Sequence, residues 1–355
     1  MNILINGVGG PTPRSIARTL KRFGKREYKL FGTDINPLAY GLYEKNLYEK
    51  TYVIPSASKE GYWKALEQIV KRHQIDLALV QPELEVMAWA KRQSEGQALP
   101  VRAFLPNYSV AELLVDKARM TEILQNTGLV PKSLNIDPDY INQQTIENQL
   151  GYPFWIRSTS GSSGLGSLKV ENYQSLLNWF TINPNVKQFI GSTYLPGRNL
   201  ACKVLYYKGS LVRAACGERV NYIMSKIAPS GITGNTSFGR LLNEPDLIEQ
   251  TKVAMAKIFE ATGTKPHGFY TADFKEDEQG KPFITEINVR MVAFNLSFAA
   301  AGANFTQDIV DLLTAPEEFD KSYKMYQFEP DTIFLRDVDA KPILMKETDL
   351  KLPGV

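Results

Sequence analysis

The stretch TADFKEDEQGKPFITEINVR, residues 271–290, has two apolar segments separated by a charged, glycine-containing turn. Apolar runs joined through such a turn predict an antiparallel β-hairpin. A hairpin that turns near Gln279 and Gly280 places Asp273 directly opposite Glu286 on the neighbouring strand. The stretch therefore predicts a pair of facing carboxylates in an otherwise apolar sheet.

One face of this predicted hairpin carries the chemistry. Residues two apart on a strand share a face, so Glu286, Asn288 and Arg290 lie on the same side. With Asp273 they offer two carboxylates, an amide oxygen and a guanidinium. Hard oxygen ligands beside a cation suit magnesium bound together with phosphates. The alternative is a solvated polar face, which we expect for Glu276, Asp277 and Glu278 in the turn.

A glycine- and serine-rich loop, residues 158–166, directly follows the apolar strand YPFWIR. Glycine lets the backbone approach anionic oxygens, so the N–H groups and hydroxyls of this loop could close over a triphosphate. Arg157, at the end of the strand, would pair with phosphate. The spacing is not that of a Walker A loop, and a flexible linker is the alternative.

The N-terminal turn Gly7-Val8-Gly9-Gly10, with Asp34 ending the next strand, suggests a dinucleotide site. That fingerprint requires a third glycine where this chain has Thr12 after Pro11. Proline restricts the loop and removes a donor. A nicotinamide-dependent oxidoreductase therefore remains only an alternative to a tight strand-to-helix turn that lines part of a substrate cleft.

The rest of the chain predicts two kinds of architecture. Residues 1–106 alternate strands, including one over 101–106, with helices, which predicts an α/β doubly wound parallel sheet with its crevice at the carboxyl ends of the strands. A single helix is predicted from Ser109 to Gly128. The second half alternates hairpins with a helix, which predicts an α+β arrangement.

Composition excludes several function classes. The net charge of +3 gives no footprint for nucleic acid, and no apolar run is long enough to span a bilayer. The chain starts without the basic region of a signal peptide, which predicts a cytoplasmic protein. Two histidines and two cysteines give no zinc-ligand spacing. Cys202 and Cys216 would face each other in a hairpin, either as buried thiols or as a disulfide.

Taken in order, these pieces resemble the ATP-grasp family, and most of all the carbamoyl-phosphate synthetase large-subunit branch with its short carboxylate–amine ligase relatives. The resemblance covers roughly residues 1–320. It rests on INGVGGPTPRSIARTL, DKARMTEILQNTGLVPKS, GYPFWIRSTSGSSGLGS, STYLPGRNL, SGITGNT and the hairpin. It implies a Rossmann-like domain over 1–106, two ATP-grasp subdomains over 107–190 and 191–320, and an extension over 321–355.

The resemblance also implies roles for individual residues. ATP phosphates would contact Lys117 and Arg157 and would be covered by Ser160, Gly161, Ser162, Ser163 and Gly164. Tyr194 and Leu195 would meet adenine, and Asn199, which replaces a common glutamate, would meet the ribose. Magnesium, or manganese as an alternative, would be held by Asp273, Glu286 and Asn288. Arg290 would stabilise the transferred phosphoryl group, and Arg219 would hold the anionic substrate. Lys203 stands where the family often has an acid, with no implied role.

The implied activity is that of an ATP-dependent ligase. A small carboxylate would be activated as an acyl phosphate, an amine would displace phosphate, and ADP would be released. The resemblance leaves a homodimer open and involves no nucleic acid or membrane. A regulatory nucleotide-binding protein without turnover is the alternative from another class. Carbamoyl phosphate synthesis is not expected, since it uses two ATP-grasp halves and this chain has one.

Overall fold

The computed structural model describes residues 1–44, 46–159, 166–228, 230–292, 294–337, 343–346 and 348. Its first sheet is parallel, with the strand order β3-β2-β1-β4. The strands are β1 (Asn2–Asn6), β2 (Lys29–Asp34), β3 (Lys50–Val53) and β4 (Leu77–Leu79). The helices of this lobe are α1 (Pro11–Phe23), α2 (Tyr62–His73) and α3 (Glu83–Ser94), and a short 3₁₀ turn spans Tyr40–Leu42. The predicted doubly wound arrangement is confirmed.

The strand order places the crevice of this lobe. It changes direction between β1 and β4, and in open α/β sheets ligands bind at the carboxyl ends of the strands beside such a switch point. Gly7 follows β1 and Gln81 follows β4, so both lie at that edge. The predicted strand over 101–106 is wrong, because only Ala103 pairs there, in an isolated bridge to Ala78.

The second sheet is small and antiparallel, with the order β5-β8-β6-β7. Its strands are β5 (Ser133–Ile136), β6 (Phe154–Ser158), β7 (Leu168–Val170) and β8 (Phe189–Thr193). Helices α4 (Tyr108–Val115) and α5 (Lys117–Leu124) lead into it, followed by a 3₁₀ turn over Gln125–Thr127, and α6 (Gln143–Gln149) and α7 (Tyr173–Ile182) pack on it. Phe154, Ile156 and Phe189 form its own buried core.

The single helix predicted from Ser109 to Gly128 is broken at Asp116. The backbone of Asp116 is extended, and its carboxylate accepts hydrogen bonds from the N–H groups of Ala118 and Arg119 at 3.0 and 3.1 Å. An aspartate that caps a new helix in this way competes with continuation of the previous one. The break makes Lys117 the first residue of α5.

The third sheet is the largest and has the order β13-β12-β9-β10-β11-β15-β16, with β14 beside β10. Its strands are β9 (Asn199–Tyr207), β10 (Ser210–Tyr222), β11 (Thr236–Leu242), β12 (Gly268–Glu276), β13 (Pro282–Asn288), β14 (Lys324–Met325), β15 (Thr332–Leu335) and β16 (Ile343–Lys346). A 3₁₀ turn (Ser225–Ile227) and helices α8 (Pro245–Thr262), α9 (Asn295–Ala300) and α10 (Phe305–Thr314) complete this part. Strands after residue 320 extend the sheet, so this segment packs on the body.

The hairpin of β9 and β10 lies at the centre of the large sheet. Cys202 pairs with Cys216 across it, as the sequence predicts, and both cysteines are free and fully buried. The neighbouring thiol of Cys202, and then burial, raise the pKa of Cys216, so both side chains serve as small buried groups. Within the described residues, no helix is long and apolar enough to cross a membrane.

Candidate active site

The hairpin of β12 and β13 has the predicted register at the functional residues. Asp273 pairs with Glu286, and Thr271 pairs with Asn288, so the predicted face exists. Nearer the turn the register shifts, because Phe274 pairs with Ile284 and leaves Thr285 as an extra residue. This bulge, which the sequence reasoning missed, is what brings Glu286 rather than Thr285 opposite Asp273.

Asp273 is the electrostatic centre of this face. Its Oδ1 accepts a hydrogen bond from Nη2 of Arg219 at 2.7 Å, and its Oδ2 accepts one from Nδ2 of Asn288 at 3.3 Å. Burial raises the pKa of Asp273, and the Arg219 guanidinium opposes that rise. Burial acts to lower the pKa of Arg219, but Asp273, Tyr222 and Glu286 together raise it, so Arg219 stays charged. The face therefore holds a partly buried ion pair beside a second carboxylate, Glu286.

These residues fit a hard divalent cation. The donor set is two carboxylates and one amide, and with the amide nitrogen of Asn288 bonded to Asp273 its oxygen is the end left for a metal. Within the described ranges, no group of three or more His, Cys, Asp or Glu side chains could hold a metal by itself. Magnesium at this face would therefore take further oxygens from a phosphate ligand.

The turn of the hairpin differs in part from the prediction. Glu278 is exposed, as expected. Glu276 is buried and is paired with Arg198. Nη2 of Arg198 lies 2.7 Å from Oε1 of Glu276, and the Arg198 backbone N–H also donates to this carboxylate. The expectation of a solvated side chain is thus wrong for Glu276, whose charge is satisfied by an arginine from the segment before β9.

A cavity of about 580 Å³ lies between the second and third sheets on this face, and we call it the nucleotide cavity. Its lining includes eight predicted residues, Lys117, Arg157, Tyr194, Leu195, Asn199, Arg219, Asp273 and Glu286. It also includes residues that the sequence reasoning missed, among them Trp155, Ser192, Tyr222, Phe274 and Lys275. Lys275 carried a signal that could have been read, since it lies two residues after Asp273 on the same strand face.

Two cations reach the nucleotide cavity from different elements. Lys117, at the start of α5, is only 7% exposed, and its backbone N–H donates to the carbonyl of Thr159 at 3.2 Å. Arg157, on β6, donates from Nη2 to the carbonyl of Thr285 in the bulge. Burial lowers the pKa of Arg157, while Glu286 and Asp273 act to raise it. Arg157 thus joins the small sheet to the strand that carries Glu286.

The hinge between the two sheets, residues 194–199, borders the same cavity. Leu195 is buried, and the Nζ of Lys169 lies 4.7 Å from the centre of the Tyr194 ring. Asn199 begins β9 and pairs with Arg219 on one side and Lys275 on the other. Its side chain type can hydrogen-bond hydroxyl groups at this wall of the cavity.

A second cavity, of about 430 Å³, lies between the first lobe and the same face. Asn288 and Arg290 line this cavity and not the first one. The two cavities share part of their lining, which we call the border: Arg219, Tyr222, Ile232, Asp273 and Glu286. The facing carboxylates and the arginine of the ion pair therefore stand where the two cavities meet.

The N-terminal turn does not use Asp34 for a ligand. Its Oδ2 accepts from the Gly9 N–H at 2.7 Å, and its Oδ1 accepts from the Asn36 N–H at 2.9 Å. This carboxylate therefore holds the turn itself and is not offered to a ribose. Pro11 and Pro13 also remove donors from the start of α1. These contacts do not favour the nicotinamide alternative.

Lys203 is fully buried on the same sheet face as Asp273. Its Nζ donates to Oδ1 of Asn295 at 2.5 Å and lies 5.1 and 4.9 Å from the ring centres of Phe294 and Phe298. Burial and then Arg219 lower its pKa, and Asp273 acts to raise it. Lys203 lines neither cavity, and its Nζ lies instead against Asn295 and Phe298 of α9. The predicted loop residues Ser160, Gly161, Ser162, Ser163 and Gly164 lie outside the described residues.

The three sheets and the face between them define the ATP-grasp fold, which confirms the predicted fold class. N5-carboxyaminoimidazole synthetase of Staphylococcus aureus, solved with ADP, is similar with a TM-score of 0.69 and 16% identity, over 94% of this chain and 81% of that chain. The L-amino acid ligase of Bacillus licheniformis is similar with a TM-score of 0.65 and 17% identity, over 94% of this chain and 78% of that chain. A third similar structure is the biotin carboxylase domain dimer of the 2-oxoglutarate carboxylase of Hydrogenobacter thermophilus, solved with MgADP and bicarbonate. Its TM-score is 0.67 and its sequence identity is 16%, over 94% of this chain and 74% of that chain.

A curated protein is also similar in sequence. The 2-oxoglutarate carboxylase small subunit of Hydrogenobacter thermophilus is 28% identical over 204 residues, which are 52% of this chain and 40% of that protein. The match thus spans less than half the length of this relative. No family model matches the chain.

Proposed function

We propose that this chain is an ATP-dependent ligase that activates a carboxylate as an acyl phosphate for attack by an amine. The observation that carries the proposal is the border between the two cavities. Asp273, Glu286 and Arg219 line both the nucleotide cavity and the second cavity. A γ-phosphate entering from one side and a carboxylate entering from the other would meet at these three residues.

The position of each residue would determine whether it binds phosphate, neutralises charge or holds the metal. Lys117 and Arg157 would bind and orient the phosphates. The charge that develops on the transferred group would be neutralised by Arg219, which lines both cavities, and not by Arg290 as the resemblance implied, because Arg290 lines the second cavity and not the nucleotide cavity. Asp273, Glu286 and Asn288 would hold magnesium, which supplies further neutralisation when it is bound. Little covalent chemistry is required of the protein, because alignment and charge stabilisation account for most of phosphoryl-transfer catalysis.

Known relatives support this class of reaction. The similar structures include two synthetases or ligases and a carboxylase domain, and two of them were solved with ADP. ADP is the product that the proposed reaction releases. A homodimer is part of the proposal on the same ground, because one of the similar structures is a domain dimer. The domain boundaries at 106, 190 and 320 and a cytoplasmic location stay predictions.

The test has a binding arm and a turnover arm. MgATP should raise the melting temperature of the protein, whereas NAD should not. A matrix of small carboxylates and amines, scored by ADP and phosphate release with products weighed by mass spectrometry, should give substrate-dependent turnover. Binding of MgATP with no turnover across the matrix would favour the regulatory alternative, and no effect of MgATP would contradict the proposal.

A further inference from the structure

Two polar side chains of the second cavity lie outside the border and do not line the nucleotide cavity. Gln81, from the first lobe, and Arg290, four residues beyond Glu286, both line this cavity and are absent from the nucleotide cavity. Both also line an adjoining recess of about 20 Å³, in which every other lining residue is apolar. We call this pair the distal pair.

Part of the hydrogen-bonding capacity of the Arg290 guanidinium is unused within the described residues. Among the described residues, no carboxylate lies within ion-pairing distance of it, in contrast to Arg219, which pairs with Asp273. Its Nη1 donates to the carbonyl of Met291 at 3.2 Å, and its buried Nε has no hydrogen-bond partner within the described part of the chain. A half-buried guanidinium with an unused donor calls for an anion from outside the protein.

The second member of the pair, Gln81, has a side-chain amide oxygen without a hydrogen-bond partner in the described ranges. The residue is 7% exposed, and its Oε1 is buried with no hydrogen-bond partner in the described ranges. Buried amides are normally held by hydrogen bonds, so an amide of this kind at a cavity wall points to a ligand. Its main chain lies between β4 and α3, and its side-chain amide carries N–H donors as well as the oxygen, in a cavity that Arg290 also lines.

We propose that the distal pair anchors a carboxylate that is distinct from the carboxylate activated at the border. The guanidinium fork of Arg290 matches a planar carboxylate, and Gln81 supplies a further donor. This inference rests on the proposed function, because it assigns the border to the reacting groups. Glu286 lies at the border and Arg290 outside it, and their Cα atoms are at most roughly 13 Å apart along an extended chain.

Two kinds of substrate would supply this second carboxylate. In the first, the amine that attacks is an amino acid, with its carboxylate on the distal pair and its amino group toward the border. In the second, the activated acid is a dicarboxylate whose other carboxylate is anchored. Both share one chemistry, a small substrate with a free carboxylate that does not react. Gln81 is then a specificity-determining residue.

The experiment compares acids with their amides on the intact chain. Glycine and alanine are tested against glycinamide and alaninamide as acceptors, and succinate and glutarate against their monoamides as activated acids, with ADP formation as the readout. Loss of the anchored carboxylate should raise KM at least about tenfold in one of these two arms, and the arm shows which substrate carries it. Equal KM for acid and amide in both arms, or ADP formation that no panel member raises and only bicarbonate does, would overturn the proposal.

The variant Gln81→Leu, with exposed Gln93→Leu as its matched control, locates the effect. Gln81→Leu should raise KM for the acid severalfold, leave KM for the amide unchanged, and leave the melting-temperature shift with MgATP as in the parent. Unchanged KM for the acid in Gln81→Leu would overturn the role of Gln81. If Gln81→Leu does not fold, the acid–amide comparison on the parent still decides. Failure of the proposed function would look different, because MgATP would then give no shift, or would give a shift while no acid, amide or bicarbonate raises ADP formation.

Discussion

At Asp273 one carboxylate meets a guanidinium, an amide and a second carboxylate. The sequence predicted the second carboxylate and the amide from strand spacing alone, because both are local to one hairpin. It could not predict that Arg219 pairs with Asp273, since that contact joins strands that are 54 residues apart in the chain. Side-chain pairing between distant strands depends on sheet order, which local patterns do not encode.

Arg157 leads to the first prediction. Its guanidinium donates to the carbonyl of Thr285 and lines the nucleotide cavity, so Arg157→Ala should weaken ATP binding by about 10- to 100-fold through loss of a charge-assisted contact. Arg157→Lys should be milder because the charge is kept. Isothermal titration with MgATP measures both. Exposed Lys187→Ala is the control for general loss of positive charge, and parent-like affinity in Arg157→Ala would remove the phosphate role.

At the scale of elements, the hairpin and the break between α4 and α5 show which features sequence patterns predict and which they do not. Alternation placed Glu286 and Asn288 on one face correctly, but the bulge at Thr285 was not visible, because nothing in its side chain distinguishes a bulge from a regular strand residue. The helix from Ser109 was predicted as one piece, because the residues on both sides of Asp116 are good helix formers. At Asp116 the side chain caps a new helix, and this local hydrogen bonding ends the preceding helix.

The second prediction follows from that cap. Asp116→Ala removes the acceptor for the N–H groups of Ala118 and Arg119 and should lower the free energy of unfolding by about 1 kcal/mol. It should also weaken MgATP binding, because Lys117 begins the helix that loses its cap. Urea unfolding and titration calorimetry measure the two effects.

A matched cap elsewhere provides the control for this prediction. Asn142 caps α6 by accepting from the Thr145 N–H at 2.9 Å, and neither residue lines the nucleotide cavity. Asn142→Ala should cost similar stability and leave MgATP affinity unchanged. If both variants weaken MgATP binding equally, the effect of the Asp116 cap is a general loss of stability and not a local one.

At the scale of the whole molecule, the segment after residue 320 is tied to the body through Asp308 on α10. Its Oδ2 accepts from the Tyr326 hydroxyl at 2.6 Å, and Nε of Arg213 lies 3.9 Å from its Oδ1. Burial raises the pKa of Asp308 to about 6, against the opposing effects of Tyr326 and Arg213. This network could not be predicted from local patterns, because its members come from three separate parts of the chain.

The third prediction is a pH dependence of stability. Because the folded-state pKa of Asp308 lies above its value of 3.8 in model compounds, the native state holds this proton more tightly than the unfolded state. The resulting stability is fully present below about pH 4 and is lost as the pH rises through about 6. Asp308→Asn mimics the protonated form, so from pH 4 to pH 7 the parent should lose up to about 3 kcal/mol relative to this variant.

Urea unfolding at pH 4, 5, 6 and 7 tests this dependence. Exposed Asp139→Asn is the control and should run parallel to the parent at every pH. His267, whose pKa is lowered to about 4 by burial, acts in the opposite direction, and comparison between variants cancels its effect. A constant difference between Asp308→Asn and the parent across this range would contradict the assignment.

Two glutamates of one hairpin decide whether its face binds magnesium with ATP for phosphoryl transfer. Glu286 faces Asp273 at the border of the two cavities, whereas Glu278 is exposed in the turn. The measurement is ADP formation at saturating Mg²⁺ for Glu286→Ala and Glu278→Ala, with circular dichroism to verify folding. Glu286→Ala should lose turnover by at least about 100-fold while it stays folded, and Glu278→Ala should match the parent within about 0.5 kcal/mol of stability. Normal turnover in a folded Glu286→Ala protein would contradict the account.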